Sequence, residues 1–288
     1  MDSNLVRRVG FAVIAIPLAL AIIWYGGLPL ALVLAVASTL GTRELFDLAA
    51  RHGIHPARAL GFVSSAALAP VSYATLAAPD VRAFIVPAWP YLVAVWLIAL
   101  LTWALAARAP AEKPLEAVSV TVLAVAYTSA LPAFLIVIRH AGFAERSWAA
   151  AWLVFFPLVV TWVCDTAAMF GGRLLGGPKL WPTISPGKTR SGALAGVVAA
   201  LLVAPIFAAM VFPRVGVATT LWQLLAMAAV LSIIGQIGDL TESLFKRQAG
   251  VKDSSQLIPG HGGVLDRFDS LYFVIPVAAA MYRLFGII

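Results

Sequence analysis

The chain has 288 residues, 62% hydrophobic and 11% charged, with a mean hydropathy of +0.96 and a formal net charge of +7. A soluble domain carries roughly 25% charged residues, so water is excluded as the main solvent. In a membrane chain the basic excess reads as cytosolic loop charge, and no nucleic-acid partner is expected. Cys164 is the only cysteine, which excludes an intramolecular disulfide.

A helix needs about 20 apolar residues to cross a bilayer core. In chain order, nine segments qualify: 9–25, 29–49, 59–78, 86–107, 116–138, 148–170, 193–213, 220–238 and 271–287. Arg7 and Arg8 precede a first run too long for a secretory signal core, so it reads as a retained span. Helix breakers fall between the segments: Pro56, Pro110, Pro114, Pro178, Pro182, Pro186 and Pro213. The expected fold is an all-α polytopic membrane protein with about nine transmembrane helices. About five form an N-terminal region, 1–147, and about four a C-terminal catalytic region, 148–288. With the N-terminus in the cytosol, fifteen of the twenty Lys and Arg residues fall on the cytosolic side. Trp148 and Trp152 read as residues of an interfacial belt.

Six acids lie from residue 165 onward: Asp165, Asp239, Glu242, Asp253, Asp266 and Asp269. On this topology all six lie at the cytosolic ends of spans or in cytosolic loops. Asp165 and Asp239 border long apolar runs, where a carboxylate costs a few kcal/mol unless paired or metal-bound. Asp239, Glu242, Ser243 and Lys246 stand at i, i+3, i+4 and i+7 of one helical pattern. That face is either an ordinary solvated one or a seat for a divalent cation and a phosphate.

Farther on, glycines surround His261 in Pro259-Gly260-His261-Gly262-Gly263, where backbone amides can approach a phosphate. Asp266 and Asp269 follow, three apart. Carboxylate oxygens suit magnesium, and a lone His without neighbouring Cys or His does not suit zinc. Gly187-Lys188-Thr189 mimics the end of a P-loop, but Pro182 stands where that motif needs glycine. The remaining loop, 179–192, is rich in hydroxyls and ammonium groups.

The stretch from Ser243-Leu244-Phe245-Lys246-Arg247 through Lys252-Asp253 to Pro259-Gly260-His261-Gly262-Gly263-Val264-Leu265-Asp266-Arg267-Phe268-Asp269 resembles the signature of the phosphatidate cytidylyltransferases, or CDP-diacylglycerol synthases. Cys164-Asp165-Thr166-Ala167-Ala168 and Ile184-Ser185-Pro186 with Lys188-Thr189 resemble upstream family segments. The similarity covers roughly 160–270, and the earlier spans match only as generic membrane helices. Gly187 and Ser191 depart from it, standing where the family has a basic residue and a glutamate.

The resemblance implies that CTP and phosphatidate give CDP-diacylglycerol and pyrophosphate at the cytosolic face of a bacterial inner membrane, in a multi-pass homodimer. It implies catalytic roles for Asp239, Asp266, Lys246 and Arg267. Substrate binding would fall to Lys188, Thr189, Ser243, Arg247, Lys252, Asp253, Gly260, His261, Gly262 and Gly263. Asp165, Asp239, Asp266 and Asp269 would hold magnesium, with a second cation admitted under two-metal logic. A transporter would instead place its acids at the bilayer midplane, often in paired repeats, and no repeat is visible here.

Overall fold

The computed structural model describes residues 17–143, 146–258 and 262–288. Among them, seven helices are long and apolar enough to cross a membrane. They match seven of the nine expected segments. Of the first, 9–25, residues 9–16 lie outside the described residues, and 17–25 is helical. The ninth forms a helix of 14 residues, Leu271–Leu284, which rises about 21 Å and falls short of a full bilayer core.

The chain divides into two compact units, and the division is not sequential. Among the described residues, one unit gathers 17–18, 27–137, 249–258 and 262–267; the other gathers 19–26, 138–143, 146–248 and 268–288.

The first unit contains α1 (Gly27–Ala50), α2 (Arg58–Ala77), α3 (Pro79–Ala107) and α4 (Pro114–Val125). A π-helical turn, Ala126–Ala130, joins α4 to α5, Leu131–Arg139. Pro132 opens α5 and cannot donate backward, which explains a widened turn there. Between these spans the contact is polar as well as apolar. The Thr42 hydroxyl lies 2.6 Å from that of Ser65 and 2.7 Å from that of Thr128. All three are buried. Lipid offers helices little hydrophobic drive to associate, so such hydroxyl networks contribute to holding spans together.

The second unit contains α6 (Trp148–Leu175), β1 (Lys179–Trp181), β2 (Ser185–Thr189), α7 (Arg190–Ile206), α8 (Leu221–Gln248) and α10 (Leu271–Leu284). The short α9, Leu265–Phe268, ends as the chain re-enters this unit. Pro157 inside α6 leaves the Leu153 carbonyl without its usual i+4 donor. The Tyr282 hydroxyl of α10 donates to it at 2.9 Å, so a proline defect becomes a cross-link between helices. Gln236 of α8 donates to the Cys164 sulfur (3.7 Å), the Ala193 carbonyl (3.3 Å) and the Ser232 carbonyl (3.2 Å). One amide thereby ties α6, α7 and α8 together. The Arg139 guanidinium, almost wholly buried, donates to the Ile23 carbonyl at 2.6 Å and to the Trp24 carbonyl. It complements the negative end of the helical stretch 17–25.

Trp148, Trp152 and Trp162 line one apolar hollow of about 600 Å³ together with Leu20, Ala21, Trp24, Phe155 and Val159. Helix α8 runs ten residues beyond the apolar run that ends at 238, so Asp239 to Lys246 lie on helix, as their spacing indicates.

Replacing Thr42 with Val keeps the shape and removes the shared hydroxyl. It should destabilise the detergent-solubilised protein by about 1 kcal/mol. Ser119→Ala, at an exposed position, should leave the melting temperature unchanged.

Candidate active site

Loop 179–192 is a two-stranded antiparallel hairpin that pairs Lys179 with Thr189 and Trp181 with Ser185. Its second strand presents Lys188 to α8, where the ammonium forms an ion pair with Asp239. The hairpin hands over to α7 through Thr189. That buried hydroxyl accepts the Gly192 amide at 3.1 Å and caps the helix. Thr189, assigned to substrate from the sequence, is engaged in this cap. Ser191, which stands where the family has a glutamate, lies 3.0 Å from the Thr189 hydroxyl and donates to the Gly176 carbonyl. It braces the hairpin's return.

The α8 face that the sequence left open between a solvated surface and a binding seat is buried at Glu242, Ser243 and Lys246 and half-buried at Asp239. Glu242 is fully buried and pairs with Lys246 one turn on, and Ser243 is buried beside them. The Ser243 hydroxyl approaches Asp239 at 3.4 Å. Arg247 donates to the Ile184 carbonyl at 3.2 Å, fixing the hairpin to the end of α8.

Asp269 arrives from just before α10. Gly238 makes its approach possible, because a Cβ there would stand 2.7 Å from the Asp269 carbonyl oxygen. No larger residue fits that contact without moving the backbone. Burial pushes the Asp269 carboxyl up to about 7. Asp239 and then Asp165 add to the rise by repulsion, while the Ser270 amide and Lys246 oppose it. Asp165, Asp239 and Asp269, separated by up to 104 positions in the chain, are therefore electrostatic neighbours. Such a cluster of repelling acids, partly withdrawn from water, favours a bound cation or a function that uses the strain.

The donor set is oxygen only, as magnesium prefers. Among the described residues no group of three or more His, Cys, Asp or Glu side chains is close enough to hold an ion unaided. A cation here would complete its shell with water and phosphate oxygens, which is magnesium's habit.

In the first unit, segment 249–267 carries the rest of the signature. Asp266, expected at a metal, has Oδ2 occupied by the Ser254 amide (2.9 Å), the Ser254 hydroxyl (2.7 Å) and the Gly263 amide (2.8 Å). It organises its own loop. Gly262, with φ of +79°, holds a left-handed backbone that suits glycine, and it pairs with Ile258 in a bridge. The Gly263 amide, expected to face phosphate, is the one committed to Asp266. Lys252, Asp253 and Arg267 are exposed. Gly260 and His261 lie outside the described residues.

Sequence reasoning missed Glu44. It is buried in α1, yet it accepts hydrogen bonds from Ser254, Ser255, Val264 and Leu265. The signal was present as an acid inside an apolar run.

Replacing Asp269 with Asn removes one of three mutually repelling carboxylates. The metal-free protein should gain about 1 kcal/mol in stability, while any metal-dependent activity falls. Thermal melting with and without a chelator, alongside turnover, checks both signs.

Comparison with known proteins follows the same residues. The chain is 49% identical over 124 residues to a phosphatidate cytidylyltransferase of Staphylococcus saprophyticus. It is 50% identical over the same length to one of Staphylococcus haemolyticus, and 46% to one of Staphylococcus aureus. Each match covers 43% of this chain, and the chain spans 46% of the length of these relatives. Residues 6–285, nearly the whole length, match the cytidylyltransferase family. With seven apolar spans among the described residues and a charged cluster at α6, α8 and the start of α10, this multi-pass membrane protein belongs to the cytidylyltransferase family.

Proposed function

We propose that the protein transfers the cytidylyl group of CTP to phosphatidate, giving CDP-diacylglycerol and pyrophosphate for phospholipid synthesis. Family membership supports the transferred group, and the relatives' names support the lipid acceptor. The observation that carries the proposal is the Lys188–Asp239 ion pair set among Asp165 and Asp269. It joins a cation suited to phosphate with acids that lack enough positive charge.

The chemistry asks little covalent work of the protein. A phosphatidate oxygen is already an anionic nucleophile, so attack on the α-phosphorus of CTP needs no strong base. The new P–O bond forms as the bond to pyrophosphate breaks. What is needed is alignment of two polyanions and compensation of charge on the departing group. Lys188, partly exposed beside Asp239, can turn its ammonium to a phosphate oxygen. Lys246, braced by Glu242, holds positive charge near Asp269. The buried carboxylate of Glu242 thus fixes the lysine's position and leaves it little conformational freedom to lose.

Magnesium is part of the proposal, with Asp165, Asp239 and Asp269 as the residues that would hold it. When bound, it supplies charge neutralisation to the phosphates. Lys252 and Arg267, exposed on the signature segment, are assigned to phosphate groups. The homodimer implied by the resemblance belongs to this proposal too, and the mass of the detergent-solubilised particle reads it.

Purified protein given labelled CTP and phosphatidate should form CDP-diacylglycerol, separable by thin-layer chromatography. A chelator should stop the reaction and added magnesium restore it. Asp239→Ala should lower turnover by at least about 100-fold while the protein elutes as wild type. Near-normal turnover in that variant would overturn the assignment.

A further inference from the structure

We infer that Glu44, in an N-terminal span, is a positioning residue that fixes Ser254, Ser255, Val264 and Leu265 of the signature segment. The inference rests on the functional reading above for its kinetic consequence, though not for its geometry.

Glu44 is 3% exposed on α1, where an uncompensated carboxylate would be costly. Both of its oxygens are engaged. Oε1 accepts the Ser255 hydroxyl at 2.7 Å and the Val264 amide at 3.0 Å. Oε2 accepts the Ser254 hydroxyl at 2.9 Å and the Leu265 amide at 2.7 Å. These four donors come from one short stretch more than 200 positions away.

Val264 and Leu265 sit at the start of α9, where backbone amides have no partner within the helix. Both are buried, so without Glu44 they would be unsatisfied donors out of reach of water. Ser254 links the two acids: its amide donates to Asp266, and its one hydroxyl proton is shared between Asp266 at 2.7 Å and Glu44 at 2.9 Å. Gly263 lies between the two acids, and a Cβ there would strike the Ser254 hydroxyl and the Glu44 carboxylate. The loop is therefore gripped from two sides by carboxylates. Lys252, Asp253 and Arg267 stay exposed on the outside of that grip. Fixing the stem of a loop reduces the ordering needed when its exposed cations take hold of a polyanion. Glu44 acts through the loop and touches no reactant.

The test compares the full-length wild type with Glu44→Gln, Glu44→Asp and Arg43→Ala in nanodiscs. It reads hydrogen exchange across 254–265 and the separate KM and kcat for CTP. Glu44→Gln keeps the volume but turns an amide donor toward groups that themselves donate. It should speed exchange at Val264 and Leu265 and raise the KM for CTP about tenfold, with a smaller change in kcat. Glu44→Asp should recover part of both, and Arg43→Ala, altering an exposed neighbour, should match wild type. Exchange and KM within twofold of wild type in Glu44→Gln would overturn the inference. So would fast exchange with an unchanged KM, which would reduce Glu44 to a stabilising role. If Glu44→Gln does not fold, Ser255→Ala removes one donor alone and should shift both readouts in the same direction, about threefold. A wild type that transfers no cytidylyl group would sink the functional reading, while the exchange data would still decide the clamp.

Discussion

A carboxylate drawn into an apolar span must find hydrogen donors or positive charge, or it will not stay ionised there. This requirement shapes both units. In the first, Glu44 is answered by two serine hydroxyls and two backbone amides. In the second, Glu242 is answered by Lys246 and Asp239 by Lys188. Asp269 differs: a backbone amide and Lys246 offset only part of its burial and its repulsion from Asp239 and Asp165. Glu44, with both oxygens bonded, holds structure in place, and the cluster that includes Asp269 marks where chemistry is expected.

The backbone serves that arrangement through its irregularities. Gly238 lets the chain at Asp269 close on α8, and Pro157 frees a carbonyl that Tyr282 takes up. The hairpin between α6 and α7 brings Lys188 onto α8 through a short, bonded route rather than a loose loop. Unpaired backbone is tolerated in a membrane protein only where something else supplies its partner.

Much of this was legible in the sequence. Hydropathy located the spans because lipid demands long apolar runs, and the spacing of Asp239, Glu242, Ser243 and Lys246 placed them on one helical face. Other features were out of reach. The pairing of Lys188 with Asp239 joins residues 51 positions apart, which no local period encodes. The hairpin at 179–189 carries two prolines and a glycine that read as a loop. Spacing reveals a carboxylate but not its partners, so the contacts of Asp266 within its own loop were not foreseen, nor was the capping of α7 by Thr189. Glu44 stands far in sequence from the acids of the last 124 residues, where the family signature lies, and no local period links it to its donors.

The Glu44 contacts also set an order of events during synthesis. Ser254 and Ser255 lie 210 and 211 residues downstream of their shared acceptor. At about 5–20 residues per second, α1 waits about 10–40 s for the donors that answer its carboxylate. The insertion machinery therefore accepts this span with its acid unanswered, and the first unit cannot complete itself until residues 254–265 have been made. Its native packing comes well after its own helices are synthesised.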